Sequence, residues 1–174
     1  MERRNAWLSY NEADEKALEK LAKDYRTFLD NGKTERECVS ELSREAEAAG
    51  YVSLDKKLAS GEKIQTGDKI YAVGMKKIMA LFHIGEDPME KGMNILGAHI
   101  DSPRLDVKQN PLYEDTDLAY LDTHYYGGVK KYQWVTLPLA MHGVVVKKDG
   151  SVMEVNIGES EDDPIVYITD LLVH

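Results

Sequence analysis

The chain has 174 residues, of which 43% are hydrophobic and 30% charged, a balance typical of a folded globular protein and not of a disordered one. Asp and Glu outnumber Lys and Arg by 31 to 22, which gives a formal net charge of −9. Because nucleic acids and anionic membranes attract concentrated positive charge, this acidity argues against both as partners. The length fits one domain, or one domain with part of another.

Three features of the sequence bear on the cellular compartment. The longest mostly apolar stretch, residues 135–146, is interrupted by polar residues and is too short to cross a bilayer. No long apolar run follows the first residues, as a secretory signal requires. The single cysteine, Cys38, cannot form an intrachain disulfide. We therefore expect a protein of the reducing cytoplasm.

The first fifty residues predict two helices. Asn11 is a suitable N-cap for a helix over residues 12–29, whose apolar residues recur every three or four positions. Thr34 and Glu37 form a capping-box pattern for a second helix that ends at Gly50. The residues expected to be buried by this second helix are Cys38, Val39, Leu42 and Ala46.

From residue 69 onward the pattern favours strands. Residues 70–73 and 78–84 are short runs rich in branched and aromatic side chains. Residues 94–100 form a nearly unbroken apolar run, which is typical of a strand covered on both faces. Two helices followed by buried strands indicate an α/β layer architecture.

The last third of the sequence predicts a β-rich unit. Residues 143–147 and 152–157 flank a Gly-containing turn and predict a hairpin, and residues 165–168 predict one more strand. The predicted domains are therefore an α/β part over residues 1–108 and a β-rich part over residues 109–174.

A histidine and an aspartate stand where the predicted strand 94–100 ends. His99 and Asp101 are two residues apart, a spacing that directs side chains to the same face of a strand. Ligands of open α/β sheets bind beyond the carboxyl ends of the strands. A neutral imidazole there could bind a divalent metal while the carboxylate fixes its orientation. Alternatively, His99 is a hydrogen-bonded core residue and Asp101 begins a turn.

The remaining candidates for chemistry are weaker. The sequence has no Gly-x-Ser-x-Gly nucleophile elbow and no phosphate-binding Gly-rich loop. The spacing of His83, His124, His142 and His174 matches no metal-ligand pattern, and the acidic residues 159–163 match no calcium loop. The aromatic residues expected in a β core or an interface are Tyr125, Tyr126, Tyr132 and Trp134.

The stretch His99-Ile-Asp-Ser-Pro-Arg-Leu105 resembles the first metal-site motif of the aspartyl aminopeptidase family, whose members carry Ala-His-Thr-Asp-Ser-Pro or a close variant. The similarity continues through Tyr126-Gly127-Gly128 and Trp134 to Gly143 and covers most of the chain. In that family a Tyr-Gly-Gly segment and a following Trp occupy a similar place, early in a β-rich insert.

The resemblance implies a fold, an activity and a set of partners. The expected architecture is the first part of a zinc-peptidase α/β domain followed by the start of a β-rich dimerisation insert. The expected activity is removal of N-terminal residues, often acidic ones, from peptide substrates by a water activated by two zinc ions, or by cobalt or manganese. Similar members form homo-oligomers built from dimers, up to dodecamers. His99 matches the first metal ligand, and Asp101 matches the acidic residue of the catalytic site that orients it.

The sequence also departs from the family pattern. The family's bridging Asp, Glu-Glu pair and final metal ligands lie beyond the residues matched here, and no Glu-Glu pair occurs in this chain. We therefore expect these 174 residues to be inactive alone, as a truncated metalloaminopeptidase. The alternative is a non-catalytic oligomerisation or peptide-binding module derived from such an enzyme. Arg104 could bind an acidic substrate side chain, although an ordinary surface arginine would have the same pattern.

Overall fold

A computed structural model describes residues 3–171 of the chain. The contacts between residues divide it into two compact units, Met1–Ile100 and Asp101–His174. In the described residues, the first unit contains three α-helices, and the second is built from hairpins. Short 3-10 helices occur at Ala6–Ser9, Met89–Lys91 and Lys131–Gln133.

Two capped helices begin the first unit, as the sequence predicts. Helix α1 (Glu12–Asn31) starts at Asn11, whose side chain accepts hydrogen bonds from the backbone of Ala13 and Asp14. Helix α2 (Glu35–Ala48) starts at Thr34, and the predicted capping box with Glu37 is present. Each box satisfies backbone N–H groups that have no partner within the helix. The predicted positions of both helices are therefore confirmed.

A three-stranded sheet follows the two helices. Strand β1 (Val52–Ser53) pairs parallel with β2 (Lys69–Gly74), and β2 pairs antiparallel with β3 (Ile78–His83). Helix α3 (Leu54–Ser60) follows β1 in the chain and packs on β1 and β2. Helix α2 packs on β2 and β3. The two predicted strands near residues 70 and 80 are confirmed as β2 and β3.

The core of the first unit lies where α2 meets β2. Ile70 in β2 is only 1% exposed. Tyr71 is also buried, and its hydroxyl donates a hydrogen bond of 2.8 Å to Oε1 of Glu47. This bond, together with the charge of Lys56, lowers the pKa of Glu47 below its ordinary value. The buried hydrophobic residues of the described part are Cys38, Val39, Ala46, Ile70 and Tyr71, whereas Leu42 is half-buried.

The predicted strand over residues 94–100 is wrong for this structure. Residues 92–103 form neither helix nor strand, and Ile95 and Leu96 are 79% and 99% exposed. A strand with apolar side chains on both faces forms only where neighbouring strands pair with its edges and other layers cover it. The described residues supply neither partner strands nor covering layers to this segment. An apolar run therefore indicates that a segment can be buried, but it does not show that the chain supplies the strands and layers that would bury it.

A long hairpin opens the second unit. Strand β4 (Arg104–Asp115) pairs antiparallel with β5 (Leu118–Tyr126), and a bulge shifts the register between Val107 and Leu112. Thr116 and Asp117 form the turn, both at positive φ. The strand β4 crosses the boundary predicted after residue 108. The division of the chain into domains at that point stays a prediction.

The predicted second hairpin is confirmed. Strand β6 (Met141–Val146) pairs antiparallel with β7 (Val152–Ile157), and Gly150 lies in the turn between them. The predicted strand at residues 165–168 is reduced to two isolated bridges, which join Val166 to Leu139 and Ile168 to Val135. Helices and sheets together confirm the α/β class of the fold. None of the helices in the described part is long and apolar enough to span a membrane.

Replacement of Ile70 by alanine tests the position of the core. Because Ile70 belongs to β2 and its side chain is buried where β2 packs on α2, Ile70→Ala should lower the free energy of unfolding by about 2–5 kcal/mol. Urea denaturation followed by circular dichroism measures this change. Ile78→Ala is the matched control, since Ile78 lies in the adjacent strand but is 67% exposed. Equal losses for the two variants would contradict the assignment of the core.

Candidate active site

His99 lies in the irregular segment that ends the first unit. Its side chain is exposed, and the following residue, Ile100, is half-buried. The carbonyl oxygen of Ile100 lies 3.7 Å from Sγ of Cys38 in helix α2, and the same sulfur lies 3.4 Å from the carbonyl oxygen of Gly32. A thiol is a weak donor. These contacts nevertheless attach the backbone beside His99 to the buried side of α2.

Gly32, at the end of α1, packs closely on Cys38. A Cβ on Gly32 would lie 2.9 Å from Sγ of Cys38, closer than Cβ contacts in real proteins, and 3.0 Å from the carbonyl oxygen of Phe28, which is tighter than most of them. Glycine is therefore required where α1 ends against α2. Burial raises the pKa of the Cys38 thiol, and the negative charges of Glu37 and Glu35 raise it further. Cys38 thus remains a neutral thiol over a wider pH range than an exposed cysteine.

Asp101, the first residue of the second unit, is half-buried and makes a strong hydrogen bond. The hydroxyl of Tyr126, at the end of β5, donates to Oδ2 of Asp101 at 2.8 Å. This distance is typical of a hydroxyl donor, and a bond to an ionised acceptor is about twice as strong as a neutral one. Tyr126 therefore limits the rotation of the Asp101 carboxylate.

Arg104 begins β4 and packs on the ring of the same tyrosine. Its guanidinium carbon lies 4.1 Å from the centre of the Tyr126 ring, which is cation–π geometry. Its Nε donates to Oδ1 of Asp106 at 2.7 Å. Arg104 and Tyr126 are direct partners in the β4–β5 register, and Asp106 and His124 are the next pair on the same side.

The backbone directly after Tyr126 packs closely on the segment that joins Asp101 to β4. Gly127 follows Tyr126 at a φ of 71°, in the left-handed region that favours glycine. Gly127 lies close to Pro103, since a Cβ built on Gly127 would be 3.5 Å from the Cα of Pro103. The chain therefore turns away directly after Tyr126, over the proline that separates Asp101 from β4.

The described residues do not complete a metal site. Among residues 3–171, no group of three or more His, Cys, Asp or Glu side chains is placed to hold an ion. The chemistry of His99 and Asp101 fits zinc, which is bound by imidazole nitrogen with a carboxylate behind it. His174 lies outside the described residues.

Tyr126 makes a contact in the candidate site that its sequence pattern does not predict. The pattern predicts a place in a β core or an interface, whereas its hydroxyl donates a hydrogen bond to Asp101. Its place in the Tyr-Gly-Gly segment was visible in the sequence, whereas its pairing with Arg104 was not. For Arg104, the described contacts are intramolecular, to Asp106 and to the Tyr126 ring. The predicted roles of His99 and Asp101 stay predictions.

A histidine and a carboxylate also meet in the second hairpin. Nε2 of His142, in β6, lies 2.9 Å from Oε1 of Glu159, which follows β7. Asp163 accepts hydrogen bonds from the backbone N–H groups of Gly158 and Ser160, and these bonds lower the pKa of its carboxyl group. The acidic segment 159–163 is thus held by local hydrogen bonds.

A family model described as "Aminopeptidase I zinc metalloprotease (M18)" matches residues 28–174, a range that includes the His-x-Asp motif and the Tyr-Gly-Gly segment. The chain therefore belongs to the M18 family of aminopeptidases. A relative from Clostridium acetobutylicum, named probable M18 family aminopeptidase 1, is 56% identical over 173 residues. A relative of the same name from Thermotoga maritima is 42% identical over 174 residues.

Solved structures support the same family and the same fold. The crystal structure of aminopeptidase I from Borrelia burgdorferi B31 matches with a TM-score of 0.89 and 38% identity, covering 98% of this chain and 41% of that one. Aminopeptidase I from Clostridium acetobutylicum matches with a TM-score of 0.83 and 55% identity, covering 100% and 38%. The chain spans about 37% of the length of the curated relatives it matches, and 99–100% of this chain is covered.

The environment of Cys38 generates a prediction about its reactivity. Because the thiol is buried and its pKa is raised, the reactive thiolate should be scarce near neutral pH in the folded protein. A disulfide reagent should therefore label the native chain much more slowly than the urea-unfolded chain at the same pH. Absorbance of the released thiol measures both rates, and Cys38 is the only cysteine that can contribute. Equal rates would contradict the described burial.

Proposed function

We propose that the full-length protein is a metalloaminopeptidase that removes N-terminal residues from peptides. Membership of the M18 family is the observation that carries the proposal, and the resemblance of His99 and Asp101 to a metal-site motif supports it. The Tyr126 hydrogen bond to Asp101 supports it, because an oriented carboxylate is what such a motif needs. Since the chain spans about 37% of its relatives' length, the activity belongs to the whole protein.

Zinc is the proposed cofactor, as two ions, with cobalt or manganese as alternatives. The bound metal would supply an activated water and polarise the scissile carbonyl. His99 would supply one imidazole donor through the nitrogen that faces the metal. Asp101 would accept the other ring N–H of His99, so that the tautomer and the direction of the ring are fixed. The general base and the remaining ligands would come from outside the residues described.

Acidic N-terminal residues are the proposed substrates. A site of this preference needs a cation to receive the substrate carboxylate, and Arg104 is the nearest arginine in sequence to the motif. Its guanidinium already has Asp106 and the Tyr126 ring as neighbours, so it would be pre-oriented and not mobile. In the full-length enzyme, Arg104→Ala should reduce the preference for N-terminal aspartate over leucine.

We also propose a homo-oligomer built from dimers, up to a dodecamer, with the β-rich part over residues 109–174 as the dimerisation unit. Exposed aromatic side chains support an interface there, since aromatic residues are enriched in protein interfaces. Tyr125 and Tyr132 are 49% and 66% exposed. The proposed location is the reducing cytoplasm, which suits a buried, unpaired Cys38.

A second candidate function applies to these residues taken alone. Because the described residues contain no set of three metal ligands, we propose that they would not hydrolyse peptides without the remainder of the protein. They could then act as a non-catalytic oligomerisation or peptide-binding module. Size-exclusion chromatography with light scattering, followed by a peptidase assay of the purified 174-residue chain, tests this second candidate. Measurable hydrolysis would contradict this second candidate.

Substitution of the two motif residues tests the proposed enzyme. In the full-length protein, His99→Ala should reduce bound zinc, because one of its few ligands is removed. Asp101→Asn should lower metal affinity or kcat/KM about 10–100-fold, the range expected for a residue behind a metal ligand. Zinc analysis by mass spectrometry and hydrolysis of an aspartyl anilide measure the two effects.

His83→Ala is the control for these variants. His83 ends β3, is exposed, and lies outside the motif, so this substitution should change neither zinc content nor activity. If His99→Ala and Asp101→Asn also leave both quantities unchanged, the proposed roles of the two residues are wrong. If the unsubstituted full-length protein has no peptidase activity, the proposed function itself is wrong.

A further inference from the structure

We propose that Tyr126 is a positioning residue of the active site, which acts through Asp101. The inference rests on the proposed function, since it assigns to Tyr126 the task of fixing the carboxylate that orients His99. It adds a residue from the end of β5, 25 positions further along the chain than Asp101.

The first support is the geometry of the hydrogen bond. The Tyr126 hydroxyl and Oδ2 of Asp101 are 2.8 Å apart, and Asp101 is half-buried. A carboxylate on an irregular segment rotates about its side-chain torsions unless a partner fixes it. With Oδ2 engaged by Tyr126, the second oxygen, Oδ1, has a defined direction. That direction is what a carboxylate needs in order to hold an imidazole ring in one orientation.

The second support is the restraint on the tyrosine itself. Its ring carries the Arg104 guanidinium at 4.1 Å, and Arg104 is held in turn by Asp106 at 2.7 Å. Because Arg104 and Tyr126 are register partners, the strand pairing fixes their separation. A planar guanidinium lying on a ring also limits the positions that the ring can adopt. The contacts therefore form a series from Asp106 through Arg104 and Tyr126 to Asp101.

The third support is the backbone after the tyrosine. Gly127 takes a left-handed φ of 71° and lies close to Pro103, two residues after Asp101. The proline has a fixed φ and no N–H, so the segment between Asp101 and β4 has little freedom. Both ends of the hydrogen bond, Asp101 and Tyr126, thus lie near the close contact between Pro103 and Gly127.

Tyr126→Phe in the full-length protein tests the inference. This change removes one oxygen atom and keeps the ring on which Arg104 packs, so the fold should be retained. Zinc affinity, measured by competition with a chromophoric chelator, should fall about tenfold, the lower limit for residues behind a metal ligand. The visible absorption spectrum of the cobalt-substituted protein should also shift, because the orientation of the His99 ring changes.

Tyr125→Phe is the matched control. Tyr125 is the adjacent residue of β5, and its ring stacks on the neighbouring His124, with the ring centre 5.0 Å from Nζ of Lys131. It loses the same oxygen atom, so zinc affinity and the cobalt spectrum should stay as in the unsubstituted protein. Equal melting temperatures for the two variants would exclude a general loss of structure as the cause.

A double variant tests whether Tyr126 acts through Asp101. If it does, Asp101→Asn/Tyr126→Phe should lose no more zinc affinity than Asp101→Asn alone. Additive losses, or a Tyr126→Phe protein that matches Tyr125→Phe in affinity and spectrum, would overturn the inference. In that case Asp101→Asn would still lower zinc affinity if the proposed function holds. If His99→Ala binds zinc as tightly as the unsubstituted protein, the proposed metal-ligand role of His99 is wrong, whereas the proposed function fails if the unsubstituted full-length protein does not hydrolyse peptides.

Discussion

The antiparallel pairing of β4 with β5 is the constraint on which the candidate site depends. This register sets Arg104 opposite Tyr126 at the open end of the hairpin, where the irregular segment with Asp101 enters β4. The strand pairing thereby brings the aromatic ring of Tyr126 to the guanidinium of Arg104 and the carboxylate of Asp101, both of which lie far before it in the sequence. A one-residue slip would turn Tyr126 to the other face of the hairpin and break the bond to Asp101. The position of the Asp101 carboxylate thus depends on the main-chain hydrogen bonds of the hairpin and not on a large hydrophobic core.

Elements whose determinants are local follow the sequence closely. Asn11 and Thr34 cap α1 and α2 as expected, because an N-cap depends on groups within three residues of it. The hairpin of β6 and β7 was also predictable, since its turn contains a glycine. The hairpin of β4 and β5 was harder to predict. Its turn uses Thr116 and Asp117 at positive φ, where glycine is usual, and Pro111 interrupts the strand pattern.

Features that depend on distant groups could not be predicted in this way. The apolar pattern of residues 94–100 indicated a covered strand, but pairing requires partner strands, and the described residues contain none for it. The His-x-Asp motif located the candidate site, and the family resemblance supplied its roles. The contribution of Tyr126 required the register, because neither its spacing from Asp101 nor its aromatic character specifies a hydrogen bond across 25 residues. Chemistry-bearing residues were therefore recognisable, while the groups that hold them were not.

The bulge between Val107 and Leu112 has a consequence for how this hairpin can vary. Side chains alternate strictly from Arg104 to Val107, and the irregular pairing then resets the alternation before Leu112. Insertion or deletion of one residue within 108–111 would change only the irregular part of the strand pairing. The residue pairs near Asp101 would therefore keep their side chains on the same faces of the hairpin. The far half of the hairpin, with its turn at Thr116, is thereby uncoupled from the near half. Loop grafts or labels could be introduced at that tip while the geometry around Tyr126 is preserved.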